Sequence, residues 1–485
     1  MSKICIAVDI GASSGRVIAG ILDNGKISLK EIYRFKNGIV KSNDHSFWDL
    51  DRLYNEILEG LKKLAEENIG IESIGIDTWA IDYVLLDANN EKVSPVYAYR
   101  DHRTDSTMEK VFKEIDAKEI YSKTGIQFLQ FNTLYQLYEH MKAEKERLAQ
   151  TDTFLMVPDY LNYLLSNQKV VEFTNATTTQ MFNIHNNDWD EDLIKITGFD
   201  KKVFPKTIKP GTILGNLTKK VQEATGLGDI KVIAPATHDT GSAVAAVPAT
   251  SADFAYISSG TWSLMGIESN VPITTEEARK YNFTNEGGVF NTYRVLKNIM
   301  GMWLIQEVQR LYDYQYSFAE LVELAKKEEP FKYLINPNHP RFLNPQNMIE
   351  EIQNYCEETH QGKPETPGQI SRCIYESLAL QYNEVLGQLR EITKEDINRI
   401  HIIGGGAQNK FLNQLCADAT NCEVYAGPVE ATALGNLMMQ FIAIGELTSL
   451  EEARKVILNS FDVEKYVPNN IEGFRANWDR FKQLP

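Results

Sequence analysis

The same short pattern opens two separate parts of this chain. Residues 4–22 contain an apolar strand, a turn of small residues and a second apolar strand, and residues 254–265 repeat that order. Small residues let the backbone approach a ligand closely, and successive amides in such a turn form a concave anion site. Two unrelated β-hairpins are the alternative interpretation. The repetition favours two similarly built halves that hold one phosphate chain.

The length of the chain fits two halves. With 485 residues, of which 43% are hydrophobic, the chain has room for two or three domains, since a domain averages roughly 150 residues. The segment PATSAD, residues 248–253, has the composition of a linker. We therefore predict an N-terminal domain of residues 1–248 and a C-terminal domain of residues 249–485.

Charge and cysteine content exclude several classes of protein. The net charge of −16 argues against a nucleic-acid partner, because duplex binding needs clustered Lys and Arg. No apolar run reaches the ~18 residues of a membrane helix and the N-terminus lacks a signal pattern, so we expect a cytoplasmic protein without a membrane partner. The cysteines have no zinc spacing, and free thiols are favoured for Cys356 and Cys373, which flank one turn. A monomer or a homodimer fits equally well.

The stretch IAPATHDTGSAVAAVP, residues 233–248, joins an apolar strand to a short helix of small residues through a polar turn. Pro235 ends the strand, and we predict a helix over residues 241–247 that stops at Pro248. This geometry directs Asp239 to the carboxyl end of a sheet, where open α/β sheets bind ligands. Helix capping by Asp239 or Thr240 is the structural alternative. Asp239 is the leading candidate for a catalytic residue.

Asp9 stands at the end of the first strand, directly before the turn. Mg²⁺ keeps much of its hydration shell and takes few carboxylates, so Asp9 is a candidate ligand that would hold the ion through water. An ordinary hairpin explains the same residues equally well. The nucleotide-binding patterns GxxxxGK[ST] and GxGxxG are both absent from the sequence.

A further strand, residues 71–78, ends in polar and aromatic residues, the run 77–82. Hydroxyl groups of a sugar need fixed polar partners and its apolar face needs a ring, so this run suits sugar recognition, with core packing of Trp79 as the alternative. The run TNATTTQ, residues 174–180, is too polar for a core strand, and we predict that it lines a groove or a loop.

The second half offers two more candidate elements. We predict a helix over residues 294–306 that carries Asn298 and Gln306, either of which could face a ligand or be a satisfied buried amide. Three glycines, 404–406, follow the strand 400–403 and precede a helix. Such a turn leaves room for a flat ring and adds amide donors, although close packing of helix on sheet also explains it.

Together these motifs resemble the FGGY family of carbohydrate kinases. The resemblance rests on motifs in the family's order over about residues 4 to 445: DIGASSGR at 9, GIDTW at 75, ATHDTGSAVAAVP at 236, YISSGTWSLMG at 256, NEGG at 285, RVLKNIMGMWLIQ at 294, IIGGGAQN at 402 and PVEATALGN at 428. It implies an α/β protein with a two-domain actin/hexokinase-like (ribonuclease H-like) fold and an interdomain active-site cleft.

The resemblance also implies a role for individual residues. Asp239 would be the general base. The ketose would be bound by Ala80, which stands where the most similar members usually have Gly, and by His238, Asp239, Thr240 and Asn298. ATP would be bound by Ala12, Ser13, Ser14, Gly15, Arg16, Thr261, Gln306, Gly404 and Gly405.

The implied reaction is transfer of the γ-phosphoryl group of ATP, with Mg²⁺, to a hydroxyl group of a ketose. L-rhamnulose, phosphorylated at its 1-hydroxyl, is the substrate that the resemblance favours. A kinase of the same family for fuculose, xylulose or glycerol is one alternative. A nucleotide-gated ATPase of the actin or chaperone type, which has no small-molecule acceptor, is the other.

Overall fold

The repeated pattern forms an antiparallel strand pair at both of its positions. Lys3–Ile10 pairs with Ser14–Asp23, and Phe254–Ser259 pairs with Trp262–Ser269. These pairs are seen in a computed structural model, which describes residues 2–251 and 253–485. Both strand–turn–strand predictions are therefore confirmed.

The chain forms two compact units that do not follow its order. Unit 1 comprises Met1–Thr250, Glu268–Val295 and Ala431–Ser460. Unit 2 comprises Ser251–Ile267, Leu296–Glu430 and Phe461–Pro485. The division into residues 1–248 and 249–485 stays a prediction from the sequence.

The strands are numbered in chain order. They are β1 (Lys3–Ile10), β2 (Ser14–Asp23), β3 (Lys26–Lys36), β4 (Val40–Ser42), β5 (His45–Trp48), β6 (Ser73–Thr78), β7 (Tyr83–Leu86), β8 (Val96–Tyr97), β9 (Thr153–Met156), β10 (Val171–Glu172), β11 (Phe182–Asn183), β12 (Asp188–Trp189), β13 (Thr207–Ile208), β14 (Thr212–Asn216), β15 (Lys231–Ala234), β16 (Phe254–Ser259), β17 (Trp262–Ser269), β18 (Thr284–Gly287), β19 (Tyr293–Met300), β20 (Arg399–Ile403), β21 (Glu423–Ala426) and β22 (Glu464–Tyr466).

The helices are numbered in the same way. They are α1 (Leu50–Glu66), α2 (Thr107–Val111), α3 (Ala117–Thr124), α4 (Thr133–Leu148), α5 (Val157–Ser166), α6 (Phe173–Thr178), α7 (Glu191–Ile196), α8 (Lys219–Thr225), α9 (Asp239–Ala245), α10 (Glu276–Lys280), α11 (Trp303–Leu311), α12 (Phe318–Lys326), α13 (Met348–Glu358), α14 (Pro367–Thr393), α15 (Lys410–Thr420), α16 (Ala431–Ala443), α17 (Leu450–Leu458) and α18 (Ile471–Lys482). Short 3-10 turns lie at His102–Thr104, Lys201–Val203, Pro340–Phe342 and Gly405–Gln408.

The main sheets of the two units share one topology. In unit 1 the order is β14-β15-β6-β1-β2-β3, with β1, β6 and β15 parallel and the outer neighbours antiparallel. In the sheet that contains most strands of unit 2 the order runs β18-β19-β17-β16-β20-β21-β22, with β16, β20 and β21 parallel. In both sheets the first strand pairs antiparallel with the strand that follows it in the chain. On its other side two further strands run parallel to it, and an antiparallel strand comes next. The two halves are similarly built, as predicted.

Helix α1 shows how the sequence pattern produces these layers. Asp49 accepts a hydrogen bond from the backbone N–H of Arg52 and so caps the first turn. Four leucine and isoleucine side chains repeat on one face and are fully buried in the core of unit 1: Leu53, Ile57, Leu61 and Leu64. The buried face therefore runs from the first turn of α1 to its last.

Two predictions of local structure are wrong. The run 174–180 is not a loop, because residues 173–178 form helix α6 and are largely buried. Its hydroxyl groups bond to carbonyl groups one turn back, as Thr178 Oγ1 does to Asn175 O at 2.8 Å, so the polar side chains are satisfied inside the helix. Asn298 does not lie on a helix, because residues 293–300 form strand β19 and the helix begins only at Trp303.

Helices α9 and α16 of unit 1 pack with almost no space between their backbones. A Cβ atom added at Gly435 would lie 1.7 Å from the carbonyl oxygen of Ser242. Only glycine allows this approach, which fixes the helix that begins at Asp239 against α16.

Within the described residues 2–251 and 253–485, none of the helices has both the length and the apolar character that crossing a bilayer requires.

The first prediction tests the contact between α9 and α16. Gly435→Ala should destabilise the protein by about 2 kcal/mol or more, because the methyl group meets a backbone carbonyl that cannot rotate away. Gly387→Ala in helix α14 is the matched control, since an added Cβ there meets no atom within 4 Å and should stabilise the helix by up to about 1 kcal/mol. Thermal unfolding of both variants measures the difference, and equal melting temperatures would contradict the packing argument.

Candidate active site

Three strand ends of unit 1 carry most of the candidate residues. Strands β1, β6 and β15 run parallel, so their carboxyl ends meet at one edge of the sheet. Asp9 lies in register with Asp77 on the neighbouring strand. Thr78 forms an isolated bridge with His238, and its N–H donates to Thr237 O at 3.0 Å. Unit 1 therefore brings together Asp9, Asp77 and the turn that leads to Asp239.

Asp239 is the first residue of helix α9, and the cap position before it is His238. The side chain of His238 makes no capping hydrogen bond, whereas Asp239 Oδ1 accepts from Thr240 N at 2.6 Å and from Thr240 Oγ1 at 3.1 Å. Asp239 thus satisfies one N–H of the first turn from inside the helix, and it is not the cap residue that the capping alternative required. The hydrogen bonds that it accepts from the described residues all fall on Oδ1, which leaves Oδ2 available to a ligand.

The turn after β1 is exposed at its tip, so a phosphate group could reach its backbone. Ala12 and Ser13 are exposed and Ser14 is half-buried. Gly15 is buried, and the space that a side chain would need there is filled by the ring of Phe35, so its small size serves packing. Arg16 pairs with Asp9 across the strands, with Nη2 2.7 Å from Oδ2. The turn therefore offers a cation beside two exposed residues with small side chains.

Asp77 is a fully buried carboxylic acid at this edge. Burial, and then the negative charge of Asp9, raise its pKa well above the ordinary value, although a hydrogen bond from Asn436 to Oδ2 opposes the shift. Its Oδ1 has no hydrogen-bond partner among the described residues. Asp77 therefore favours its neutral form.

The run that contains Ala80 is held by a second buried carboxylate, Asp82. Its Oδ2 accepts from Trp48 Nε1 at 2.6 Å and Trp79 Nε1 at 3.0 Å, and its Oδ1 accepts from Gln136 Nε2 at 2.9 Å. The ring centroids of the two tryptophans lie 4.2 Å apart, and Trp79 is buried, so the core-packing alternative for Trp79 is correct. Ala80 is buried as well.

This run is also strained. Ile81 has a φ of 66°, which is costly for a β-branched residue. Strained backbone of this kind persists only where neighbouring contacts hold it, and it clusters at ligand sites. Thr133 Oγ1 donates to Ile81 O at 2.6 Å, and the neighbouring Asp82 is anchored as described above.

A buried glutamate that the sequence did not single out fixes the turn before Asp239. Glu172 accepts from Thr237 N at 2.9 Å, from Thr237 Oγ1 at 3.0 Å and from the backbone and hydroxyl of Thr174. Burial raises the pKa of Glu172, and these hydrogen bonds oppose the rise. Thr174 Oγ1 in turn accepts from His238 N at 3.2 Å. Glu172 therefore links the start of helix α6 to the turn that precedes Asp239.

A buried ion pair is a second feature that the sequence did not single out. Arg294 Nη2 lies 3.0 Å from Glu286 Oε2, and both side chains are buried beside His238. Burial alone would raise the pKa of Glu286, but the charge of Arg294 holds it below the ordinary value. The signal in the sequence was a charged residue with apolar neighbours on both sides, which must find a partner once it is buried.

Unit 2 brings together the remaining candidates. Thr261 is exposed in the turn after β16, and this turn accepts hydrogen bonds from the start of helix α11, on which half-buried Gln306 lies.

The glycine turn, residues 404–406, follows strand β20, which runs parallel to β16. A Cβ atom at Gly406 would lie 1.9 Å from Ser259 Oγ, so that glycine serves packing, as the alternative proposed. Gly405 meets no atom within 4 Å and is exposed, which leaves backbone open to a flat ring.

Asn298 is half-buried on β19 and belongs to unit 2. The other candidate sugar-binding residues, Ala80, His238, Asp239 and Thr240, belong to unit 1. The five cysteines are buried and free.

The chain belongs to the FGGY family of carbohydrate kinases, whose N-terminal domain matches residues 4–246 and whose C-terminal domain matches residues 255–444. The chain is 51% identical to a rhamnulokinase of Halalkalibacterium halodurans over 96% of this chain and 99% of that protein. It is 48% identical to a rhamnulokinase of Oceanobacillus iheyensis, over 98% and 100% of the two chains.

Solved structures show the same fold. A ligand-bound xylulose kinase from Lactobacillus acidophilus superposes with a TM-score of 0.81 at 16% identity, covering 99% of this chain and 96% of that one. The protein is a sugar kinase with the two-domain, actin/hexokinase-like fold of its family, as the sequence predicted.

The second prediction concerns Asp82, whose pKa is raised from 3.8 to about 6, chiefly by burial. A carboxyl group with a raised pKa in the folded state stabilises the fold below its unfolded pKa, and this contribution is lost as the pH rises through the folded pKa. Relative to Asp82→Asn, the wild type should therefore gain about 2 kcal/mol as the pH falls from 7 to 4.

Urea unfolding at several pH values measures this difference. Asp44→Asn is the control, since Asp44 is exposed and its backbone conformation suits asparagine. A difference between wild type and Asp82→Asn that does not change between pH 7 and pH 4 would show that folding does not raise the pKa of Asp82.

Proposed function

We propose that this protein transfers the γ-phosphoryl group of ATP to the 1-hydroxyl of L-rhamnulose, giving L-rhamnulose 1-phosphate and ADP. The bond between O1 and the γ-phosphorus forms, the bond between that phosphorus and the bridging oxygen breaks, and the hydroxyl proton passes to a base. The observation that carries the proposal is the position of Asp239, at the carboxyl end of a parallel sheet, in a chain so similar to rhamnulokinases.

Asp239 is the proposed base. Its Oδ1 is occupied by Thr240, whereas Oδ2 has no donor from the described residues and is available to accept a proton. The side chain is 30% exposed, so an acceptor alcohol can reach it. A base in contact with the reacting hydroxyl typically contributes about 10²–10⁴ in rate.

The proposed sugar and ATP sites use the residues that the family resemblance names. Ala80, His238, Thr240 and Asn298 join Asp239 as proposed sugar-binding residues. The exposed turn Ala12–Ser14, with Gly15 and Arg16, and Thr261 of unit 2 are proposed to bind phosphate. Gly404, Gly405 and Gln306 are proposed to bind the adenosine. Phosphoryl transfer depends mainly on positioning and charge neutralisation, which backbone amides in two turns supply.

Mg²⁺ fits the edge that carries Asp9. Asp77 Oδ1 is a buried carboxyl oxygen without a partner among the described residues, and it lies on the strand in register with Asp9. The described residues contain no cluster of three or more His, Cys, Asp or Glu side chains suited to a metal. Asp9 is therefore proposed to hold the ion through water, which is how Mg²⁺ is commonly bound. When bound, the ion would neutralise phosphate charge.

The proposal includes a cytoplasmic location, because the reaction consumes ATP.

The third prediction tests the base. Asp239→Asn should lower kcat about 10²–10⁴-fold, since the amide cannot accept the hydroxyl proton. Affinity for ATP and for L-rhamnulose should change little, because the side chain keeps its size and its contact with Thr240. A coupled assay of ADP release measures kcat, and calorimetric titration measures binding. Near-normal turnover with intact binding would remove Asp239 from this role.

The fourth prediction tests the substrate. With L-rhamnulose, kcat/KM should be at least about tenfold higher than with L-fuculose, D-xylulose or glycerol, which is the discrimination that a single well-fitted group can provide. ADP production without any sugar is the baseline. A higher kcat/KM for another acceptor would assign that acceptor as substrate. ATP hydrolysis that no acceptor stimulates would favour an ATPase of the actin or chaperone type.

A further inference from the structure

The largest fully buried side chain of the protein lies next to the proposed base. Arg294 has no exposed surface. Its Nε donates to Gly287 O at 2.9 Å, its Nη2 reaches His238 and Glu286, and its Nη1 has no hydrogen-bond partner among the described residues. Buried ion pairs are weak contributors to stability, because desolvation offsets their attraction. A buried guanidinium that is only partly satisfied therefore calls for a further role.

The direction of the hydrogen bonds identifies the hydrogen-bearing nitrogen of His238. Arg294 Nη2 lies 3.1 Å from His238 Nδ1, in hydrogen-bond geometry. Arginine has only donors, so Nδ1 must accept and the imidazole carries its hydrogen on Nε2. Glu286 Oε2 lies 3.2 Å from the same Nδ1, but that oxygen has no aligned donor, so distance alone does not make Nδ1 a donor.

The other nitrogen of the imidazole faces the proposed base. His238 Nε2 lies 3.4 Å from Asp239 Oδ1, the oxygen that Thr240 also engages. A hydrogen on Nε2 attracts Oδ1 and so favours the carboxylate orientation that leaves Oδ2 for the substrate. A lone pair on Nε2 would repel Oδ1 instead.

The backbone of His238 is fixed independently of its side chain. His238 N donates to Thr174 Oγ1 at 3.2 Å, and the carboxylate of Glu172 holds Thr174 and Thr237. With the backbone fixed, the contact with Arg294 decides which nitrogen carries the hydrogen.

We propose that Arg294 and Glu286 are positioning residues, which keep the hydrogen of the His238 imidazole on Nε2 and thereby orient Asp239. Arg294 supplies the donor to Nδ1, and Glu286 supplies the negative charge that lets the guanidinium remain buried. A buried group that fixes the form of a catalytic histidine is an established device in enzymes. The role in orienting the base rests on the proposed function, whereas the position of the hydrogen does not.

The first experiment reads the position of the hydrogen directly. The full chain, labelled with ¹⁵N at its eight histidines, gives imidazole nitrogen shifts that distinguish a nitrogen with hydrogen from one without. His238→Gln identifies the signals of His238 by their loss. The expected result is a neutral ring with hydrogen on Nε2. Hydrogen on Nδ1, or on both nitrogens, in the wild type would overturn the proposal even if the enzyme phosphorylates L-rhamnulose.

The second experiment compares two variants that remove both charges, so that neither leaves an isolated buried charge. Arg294→Met with Glu286→Met removes every donor to Nδ1. Arg294→Met with Glu286→Gln places an amide N–H where Oε2 lies, 3.2 Å from Nδ1. We expect the first variant to populate hydrogen on Nδ1 and to lose at least about tenfold in kcat, the loss usual for such supporting residues. The KM for ATP should not change. The second variant should restore the wild-type shifts and most of kcat.

The matched control is the ion pair Arg454–Glu268, whose atoms lie 2.7 Å apart with both side chains 13% exposed. Its double change to Met should leave the His238 shifts unchanged. If both variants at positions 286 and 294 keep the wild-type shifts and kcat, the proposal is wrong. Equal losses of kcat in both, with unchanged shifts, would mean that the pair is only structural. If the wild type has no kinase activity but the shifts respond as expected, the proposed function fails and the assignment of the hydrogen stands.

Discussion

Parallel pairing of β1, β6 and β15 is the constraint on which the rest of unit 1 depends. Residues far apart in the sequence, Asp9, Asp77 and Asp239, reach one edge of the sheet only because these three strands point the same way. An antiparallel β6 would carry Asp77 to the opposite edge. The chemistry of the site is thus a result of strand direction before it is a result of any side chain.

The same pairing creates an electrostatic difficulty. Several carboxyl groups end up close together and largely buried, and like charges in such a place disfavour ionisation. Three features of these carboxyl groups reduce the repulsion between them. Asp9 pairs with Arg16, Asp77 has a raised pKa that favours the neutral acid, and Glu286 keeps its charge against burial because Arg294 lies beside it. Only Asp239 is left both partly exposed and without a cationic partner from Lys or Arg among the described residues.

The sequence predicted the elements better than it predicted their contacts. The two strand–turn–strand units, the helix after Asp239 and the glycine turn were all visible, because turn residues and apolar periodicity are local signals. Thr174 and Asn298 show where local signals fail. Hydroxyl groups in α6 bond within the helix, so polarity did not indicate a loop, and strand β19 was hidden by the apolar run that continues into α11.

The residues missed entirely share one property, which is that their partners are distant in the sequence. Glu172 acts on Thr237, Asn436 on Asp77, and Arg294 on His238. No spacing rule connects such pairs, since only the fold brings them within a few ångströms. The sequence did show one anomaly at such positions, which is a charged or amide residue among apolar or small neighbours. Such an anomaly indicates that a partner exists without indicating which residue it is.

The two units have similar sheets but carry different residues at the ends of the parallel strands. Both sheets present a small-residue turn after the first strand and further loops after two parallel strands. In unit 1 the strand ends carry Asp9 and Asp77, whereas in unit 2 the corresponding ends carry Ser258 and the glycines that follow Ile403. Carboxyl groups can accept protons and organise a hydrated cation, and hydroxyl groups with open backbone can bind phosphate or a flat ring. Because the backbone frame is the same, the chemical difference between the two edges depends on a few strand-end residues.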